Sequence, residues 1–161
     1  KLLRNHGLAN RDEISVLGYN SRLDTLQAIV GNWLIGQTHD ITEKRIEHGA
    51  VYDTAFAGIP QITLPPRRKN VKRVFHLYIV FAKERDALYQ YCLDNGVEAK
   101  IHYPIPLYRQ EGLKHLGYKF GDFPVADQHA ETIITFPTDQ HLVPEQLEFV
   151  IETVRNFYAG R

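Results

Sequence analysis

The stretch "AGIPQITLPPRRKN", residues 57–70, carries three prolines and forbids any helix from running through it. A proline ring has no amide hydrogen to give and clashes with the preceding turn, and the residue before it is pushed out of helical conformation. On the N-terminal side of this break, apolar residues recur every three or four positions. On the C-terminal side, short β-rich runs alternate with amphipathic ones. The chain is therefore expected to hold a helical segment leading into a small α/β domain, and its 161 residues, 43% hydrophobic, are enough for a core.

From Leu23 the positions Leu26, Val30, Trp33, Leu34, Gln37 and Ile41 share one helical face. Asp24 falls in the first turn, where a carboxylate suits the positive helix end. The pattern continues through Ile46, Ala50, Val51 and Phe56, with Gly49 as its weak point. Beyond the prolines, "RVFHLYIVF" (73–81) predicts a strand buried on both faces. "KERDALYQYCLDNG" predicts a helix with Leu88, Tyr91 and Cys92 inward, ended by Asn95 and Gly96. "VEAKIHY" predicts a second strand, "QEGLKHLG" and "FPVADQHAET" short helices, and "IITFP" a last strand. "VPEQLEFVIETVRNFY" closes the chain, with Pro144 in the first turn and Leu147, Val150, Ile151, Val154 and Phe157 on one face. The predicted order is β-α-β-(α-α)-β-α, helices covering a small sheet. "KLLRNHGL" reads as the end of a helix entered from upstream. With no methionine and Lys1 in first place, the chain is expected to be the C-terminal part of a longer protein.

Charge narrows the function classes. The 19 basic and 19 acidic residues cancel, leaving no global field to draw in nucleic acid or an anionic membrane. No apolar run is long enough for a membrane helix. A single cysteine, Cys92, rules out an internal disulfide, suits a reducing cytoplasm and reads as a core residue. The eight histidines show no metal-ligand spacing, so no metal site is expected.

Three places could bind something. In "LGYNSRLDTLQA" (17–28), Gly18 permits a close turn, Asn20 offers an amide and Arg22 a planar fork, ahead of a helix N-terminus. That is an anion-binding corner, or else a helix cap with an Arg22–Asp24 surface pair. In "KIHYPIPLY" (100–108), two prolines stiffen a lip that offers Lys100, His102, Tyr103 and Tyr108, or simply turn the chain. "PPRRKNVKR" packs five cations into seven residues and could meet phosphate, or be a solvated face.

These residues resemble the fold type I, pyridoxal-phosphate-dependent aminotransferases of the DegT/DnrJ/StrS group, which act on nucleotide-linked keto-sugars. The resemblance rests on "LLRNHG" (2–7), "GYNSRLDTLQA" (18–28), "FHLYIV" (75–80), "RDAL" (85–88), "GVEAKIHYPIPL" (96–107), "FPVAD" (123–127) and "FPTDQHLVPEQ" (136–146), in the family's order. It implies that 1–22 end a large cofactor-binding domain, 23–58 form a long interdomain helical segment, and 59–161 form a small C-terminal domain with a mixed sheet. It further implies a homodimer in which Asn20, with Arg22 beside it, reaches the cofactor phosphate in the neighbouring subunit's active site. His76, His102 and Tyr103 would line the nucleotide-sugar side of the pocket. The residue after "PL" is usually histidine; here it is Tyr108, which puts that substrate contact in question.

The family's catalytic lysine, which forms the Schiff base with pyridoxal phosphate, stands before "LLRNHG", and Lys1 lacks its context. The resemblance thus implies a chain inactive by itself within a parent enzyme that moves an amino group from glutamate to the keto-sugar. Ser21, between Asn20 and Arg22, is more like members acting at C3 than at C4. Two other readings stay open: a non-catalytic anion- or nucleotide-binding module, and a lysine-less regulatory member of the same fold.

Overall fold

The computed structural model describes residues 2–159. Lys1, whose context bears on the lysine reading above, lies outside the described residues. The chain divides into two compact units, Lys1–His39 and Asp40–Arg161.

In the first unit the opening residues form turns rather than the end of a helix. Asn5 bridges Asn20 and Leu8 bridges Ile14, both antiparallel. The Tyr19 N–H donates to the Leu3 carbonyl at 2.7 Å, and the Ser21 N–H donates to the Arg4 carbonyl at 2.9 Å. Two glycines let these strands of backbone touch. A Cβ on Gly18 would stand 2.4 Å from the Gly7 nitrogen, and one on Gly7, itself at φ +77°, would stand 1.6 Å from the Val16 carbonyl oxygen. Gly18 thus lets two stretches of the same backbone pack closely.

Helix α1, Thr25–Ile35, follows. Asp24 is its N-cap: its Oδ1 accepts the Gln27 N–H at 2.8 Å, while Gln27 Oε1 accepts the Asp24 N–H. This reciprocal box satisfies two amides that the helix leaves unpaired. α1 ends at Gly36, and α2, Thr38–Phe56, begins two residues later. The expected long helix is therefore broken at Gly36–Gln37 and not at Gly49. Gly49 lies within α2 because the Phe75 ring packs there; a Cβ would stand 2.8 Å from it.

The second unit is built on a three-stranded sheet of β1 (Ile62–Thr63), β2 (Tyr78–Ala82) and β3 (Ile133–Phe136), in that spatial order. Both pairings are antiparallel, where a mixed sheet was expected; Ile62 faces Ala82, and Val80 faces Ile134. The predicted strand "VEAKIHY" shrinks to one bridge, Lys100 with Thr135, on the outer side of β3. β2 starts only at Tyr78 because the Arg45 guanidinium takes up the carbonyls of Phe75 and His76, at 3.3 and 3.2 Å, which a longer strand would need for its ladder.

Helices α3 (Arg85–Asp94), α4 (Pro124–Thr132) and α5 (Pro144–Ala159) complete the unit. The two-residue period of β2 sends Tyr78, Val80 and Ala82 into the core with Tyr52 and Phe56 of α2, Leu88 and Cys92 of α3, and Val154 and Phe157 of α5. Phe81, on the other face, stacks on His129 of α4 with ring centroids 4.4 Å apart. The core thus takes in the C-terminal half of α2, so packing cuts the 23–58 segment within itself. Three tyrosine hydroxyls at its margin each find an acceptor: Tyr52 donates to the Pro137 carbonyl, Tyr158 to the Lys83 carbonyl and Tyr78 to Asp53. Burial pushes the Cys92 thiol up to about 11, so it stays a protonated core residue. Among the described residues, no helix is long and apolar enough to cross a membrane.

Candidate functional site

Two concave places carry the sequence-predicted residues, one in each unit. In the first, a polar hollow of about 610 Å³ is lined by Asn20, Ser21, Arg22, Leu23, Asp24, Thr25 and Gln27. The ladder to residues 3–6 fixes the backbone at Tyr19 and Ser21, and the capping box fixes it at Asp24, so Asn20 and Arg22 stand between two anchored points. Both side chains are exposed. The donors are an amide, two hydroxyls, a guanidinium and a second amide; the one carboxylate, Asp24, already accepts at the cap. Such a donor set fits a phosphate group.

In the second unit a pocket of about 510 Å³ opens between the 102–108 lip, the two 3₁₀ turns Leu107–Arg109 and Glu111–Leu116, and α4. His102, Tyr103 and Tyr108 all line it, with Leu113, Tyr118, Phe123 and His129 among its other walls. The expected polar lip therefore borders a mostly apolar hollow. Thr135 in β3, itself buried, meets His102 Nδ1 at 3.0 Å through its hydroxyl and orients the ring from behind. The His102 and Tyr103 rings then stand edge to face at 5.4 Å. Tyr103 is 72% exposed and free to contact a ligand.

Tyr108 differs. Its hydroxyl donates to Asp127 Oδ1 at 2.6 Å, and its ring packs against Phe123 at 4.9 Å. Burial of the hydroxyl first, and its bond to Asp127 second, hold it above the ordinary phenol range. His76 does not join this group: it precedes β2, is exposed, and is absent from the pocket walls. The sequence reading overlooked Thr135 and Asp127. Asp127 was findable, since it shares a helical face with Phe123 and Ala130, where a charge signals a buried partner.

The basic run is largely occupied by its own protein. Arg67 forms a two-pronged pair with Asp53 at 2.7 and 2.5 Å and lies over the Phe75 ring. Lys72 pairs with Glu43, and Arg73 donates to the Pro66 carbonyl. These contacts fold the loop onto α2.

The model of the DegT/DnrJ/EryC1/StrS aminotransferase family matches residues 1–155. The chain is 34% identical over 155 residues to the erythromycin biosynthesis sensory transduction protein EryC1 of Saccharopolyspora erythraea, covering 96% of this chain and 42% of that protein. It is 31% identical to the dTDP-3-amino-3,6-dideoxy-alpha-D-galactopyranose transaminase of Aneurinibacillus thermoaerophilus, covering 97% of this chain and 42% of that one. Among solved structures, S. venezuelae DesV superposes with a TM-score of 0.90 at 29% identity, covering 98% of this chain and 42% of that chain. The chain thus spans less than half the length of the relatives it matches.

Proposed function

The chain belongs to the DegT/DnrJ/EryC1/StrS aminotransferase family, and from that premise we propose that it is the C-terminal part of an enzyme that transfers an amino group from glutamate to a nucleotide-linked keto-sugar. The observation that carries this reading is the family match running over nearly the whole chain, joined to a 31% identical relative named as a dTDP-amino-sugar transaminase. The name of that relative, with its amino group at position 3, also supports C3 as the site of amination, as does Ser21 between Asn20 and Arg22.

The cofactor of this family is pyridoxal 5'-phosphate; when bound, it supplies the electron sink for amino-group exchange. This chain's part is to bind and orient. Asn20 and Arg22 would give hydrogen bonds to the phosphate from the polar hollow, in the active site of a second subunit, so that the working unit is a homodimer. His102, held by Thr135, and the exposed Tyr103 would meet the nucleotide-linked sugar, while the apolar walls of their pocket exclude water. The lysine that moves the proton would precede Lys1 in the parent chain. The reaction would take place in the cytoplasm.

The 34% identical EryC1, named as a sensory transduction protein, favours one second reading: a lysine-less regulatory protein of the same fold. One experiment separates them. The full-length protein is reduced with borohydride and its intact mass is measured. A pyridoxyl adduct on a lysine outside these 161 residues is the expected result; a folded protein with no adduct overturns the enzyme reading. Asn20→Ala should then weaken cofactor binding by about tenfold or more, the loss of one hydrogen bond to a charged group, with the fold unchanged by circular dichroism. Unaltered cofactor affinity would remove Asn20 from the site.

A further inference from the structure

The His102 end of the pocket is fixed by Thr135; its other end is fixed by a residue with no ligand contact of its own. Asp127, 6% exposed, is the one buried carboxylate among the described residues. Its Oδ1 accepts the Tyr108 hydroxyl at 2.6 Å, its Oδ2 accepts the Gly121 N–H at 3.1 Å, and the Arg109 guanidinium stands 4.0 Å away. A carboxylate taken out of water is tolerated only where donors converge on it. All of these donors come from one segment, 106–121, whose two 3₁₀ turns bury no side chain of their own. Little apolar burial holds that segment down. Ring contacts of Tyr108 and Tyr118 with Phe123 touch it, and the carboxylate ties its beginning to its end.

We propose that Asp127 is a positioning residue, a latch that holds segment 106–121 as a wall of the pocket and sets Tyr108 within that wall. Tyr108 lines the pocket, whereas Asp127 stands behind it. The Tyr108 hydroxyl, spent on the carboxylate, is withdrawn from the ligand, so this position presents a fixed aromatic wall. The inference rests on the sugar-transaminase reading only in its choice of ligand.

The test uses the full-length protein carrying its cofactor. Asp127→Ala and Tyr108→Phe should each raise KM for a nucleotide-linked keto-sugar by about tenfold, with kcat changed by less than about twofold, the pattern of lost ground-state binding. Asp127→Asn, which keeps one acceptor oxygen, should recover part of that loss. Amide exchange at Gly121 and across 106–121 should quicken in Asp127→Ala. An unchanged KM with unchanged exchange overturns the latch. Should Asp127→Ala fail to fold, Tyr108→Phe decides alone, since it removes one hydroxyl and no charge. Should the wild-type protein accept no nucleotide-linked sugar, the transaminase reading falls, and exchange at Gly121 in Tyr108→Phe and Asp127→Asn still decides the latch: faster exchange supports it, unaltered protection overturns it.

Discussion

Helices α1 and α5 carry the same kind of sequence signal and reach opposite ends. In α5 the apolar face is buried along its whole length, from Leu147 to Tyr158, with Val154 at 0% exposure. In α1 no residue is buried, and Leu26 and Trp33 remain 77% and 68% exposed. Yet α1 is the more apolar of the two: Ile29 and Ile35, off the predicted face, are also exposed aliphatics. Periodicity tells which side of a helix requires cover and does not tell what supplies it. α5 is covered by α3 and by the core it shares with α2 and the sheet of its own chain. A helix apolar on most sides belongs in a protein interior, which accords with the proposal that this chain is part of a longer, dimeric parent.

The comparison breaks most visibly at α5. Phe157→Ala removes a ring that is 4% exposed and packs against Tyr91 and Tyr158. It should cost about 3–5 kcal/mol, as large-to-small core changes do, read as a lower urea midpoint with unchanged slope. A cost below about 1 kcal/mol would mean that the α5 face is not the core described. A smaller effect is expected at the start of α1. Asp24→Ala removes the capping box and should cost about 1 kcal/mol, seen as faster amide exchange at Gln27. Asp24→Asn should restore most of it, because an amide oxygen also accepts the Gln27 N–H. Equal losses in the two variants would point to charge rather than the cap.

The same contrast explains what was legible in the sequence. α3, α4, β3 and α5 were readable because their signals are local: Asn95 and Gly96 end one helix, Pro124 and Pro144 begin two others, and the burial pattern follows the period. The misreadings involve partners far away in sequence. Arg45 stops β2 at Tyr78 by taking two carbonyls 30 and 31 residues on. Gly49, a local helix breaker, is a seat for Phe75. "VEAKIHY" alternates like a strand, but only Lys100 finds a ladder partner before the chain turns into the lip. β1 was missed because two residues between prolines leave no period to read. At the site, His102, Tyr103 and Tyr108 were found together, while His76 was grouped with them and stands apart. Thr135 acts through a second residue, and no spacing rule marks such a role, whereas Asp127 left the one trace of a charge on the helical face of Phe123 and Ala130.

The smallest effect should come from the most conspicuous residue of α1. Trp33 is the only tryptophan in the chain and stands on the exposed face. In these 161 residues alone, Trp33→Gln should change stability by no more than about 0.5 kcal/mol, as for a surface substitution, and wild-type fluorescence should be red-shifted and open to acrylamide. In the full-length protein, a covered α1 requires the same indole to emit to the blue and resist the quencher. If the cover is a second subunit, the Trp33→Gln penalty must also grow as protein concentration rises, because association by mass action stabilises the tighter-associating wild type more than the variant. A blue-shifted, protected indole in the 161-residue chain would mean that α1 packs within its own chain, and the contrast with α5 would disappear. Protection only in the longer protein would place the missing cover outside these residues and leave the contrast standing.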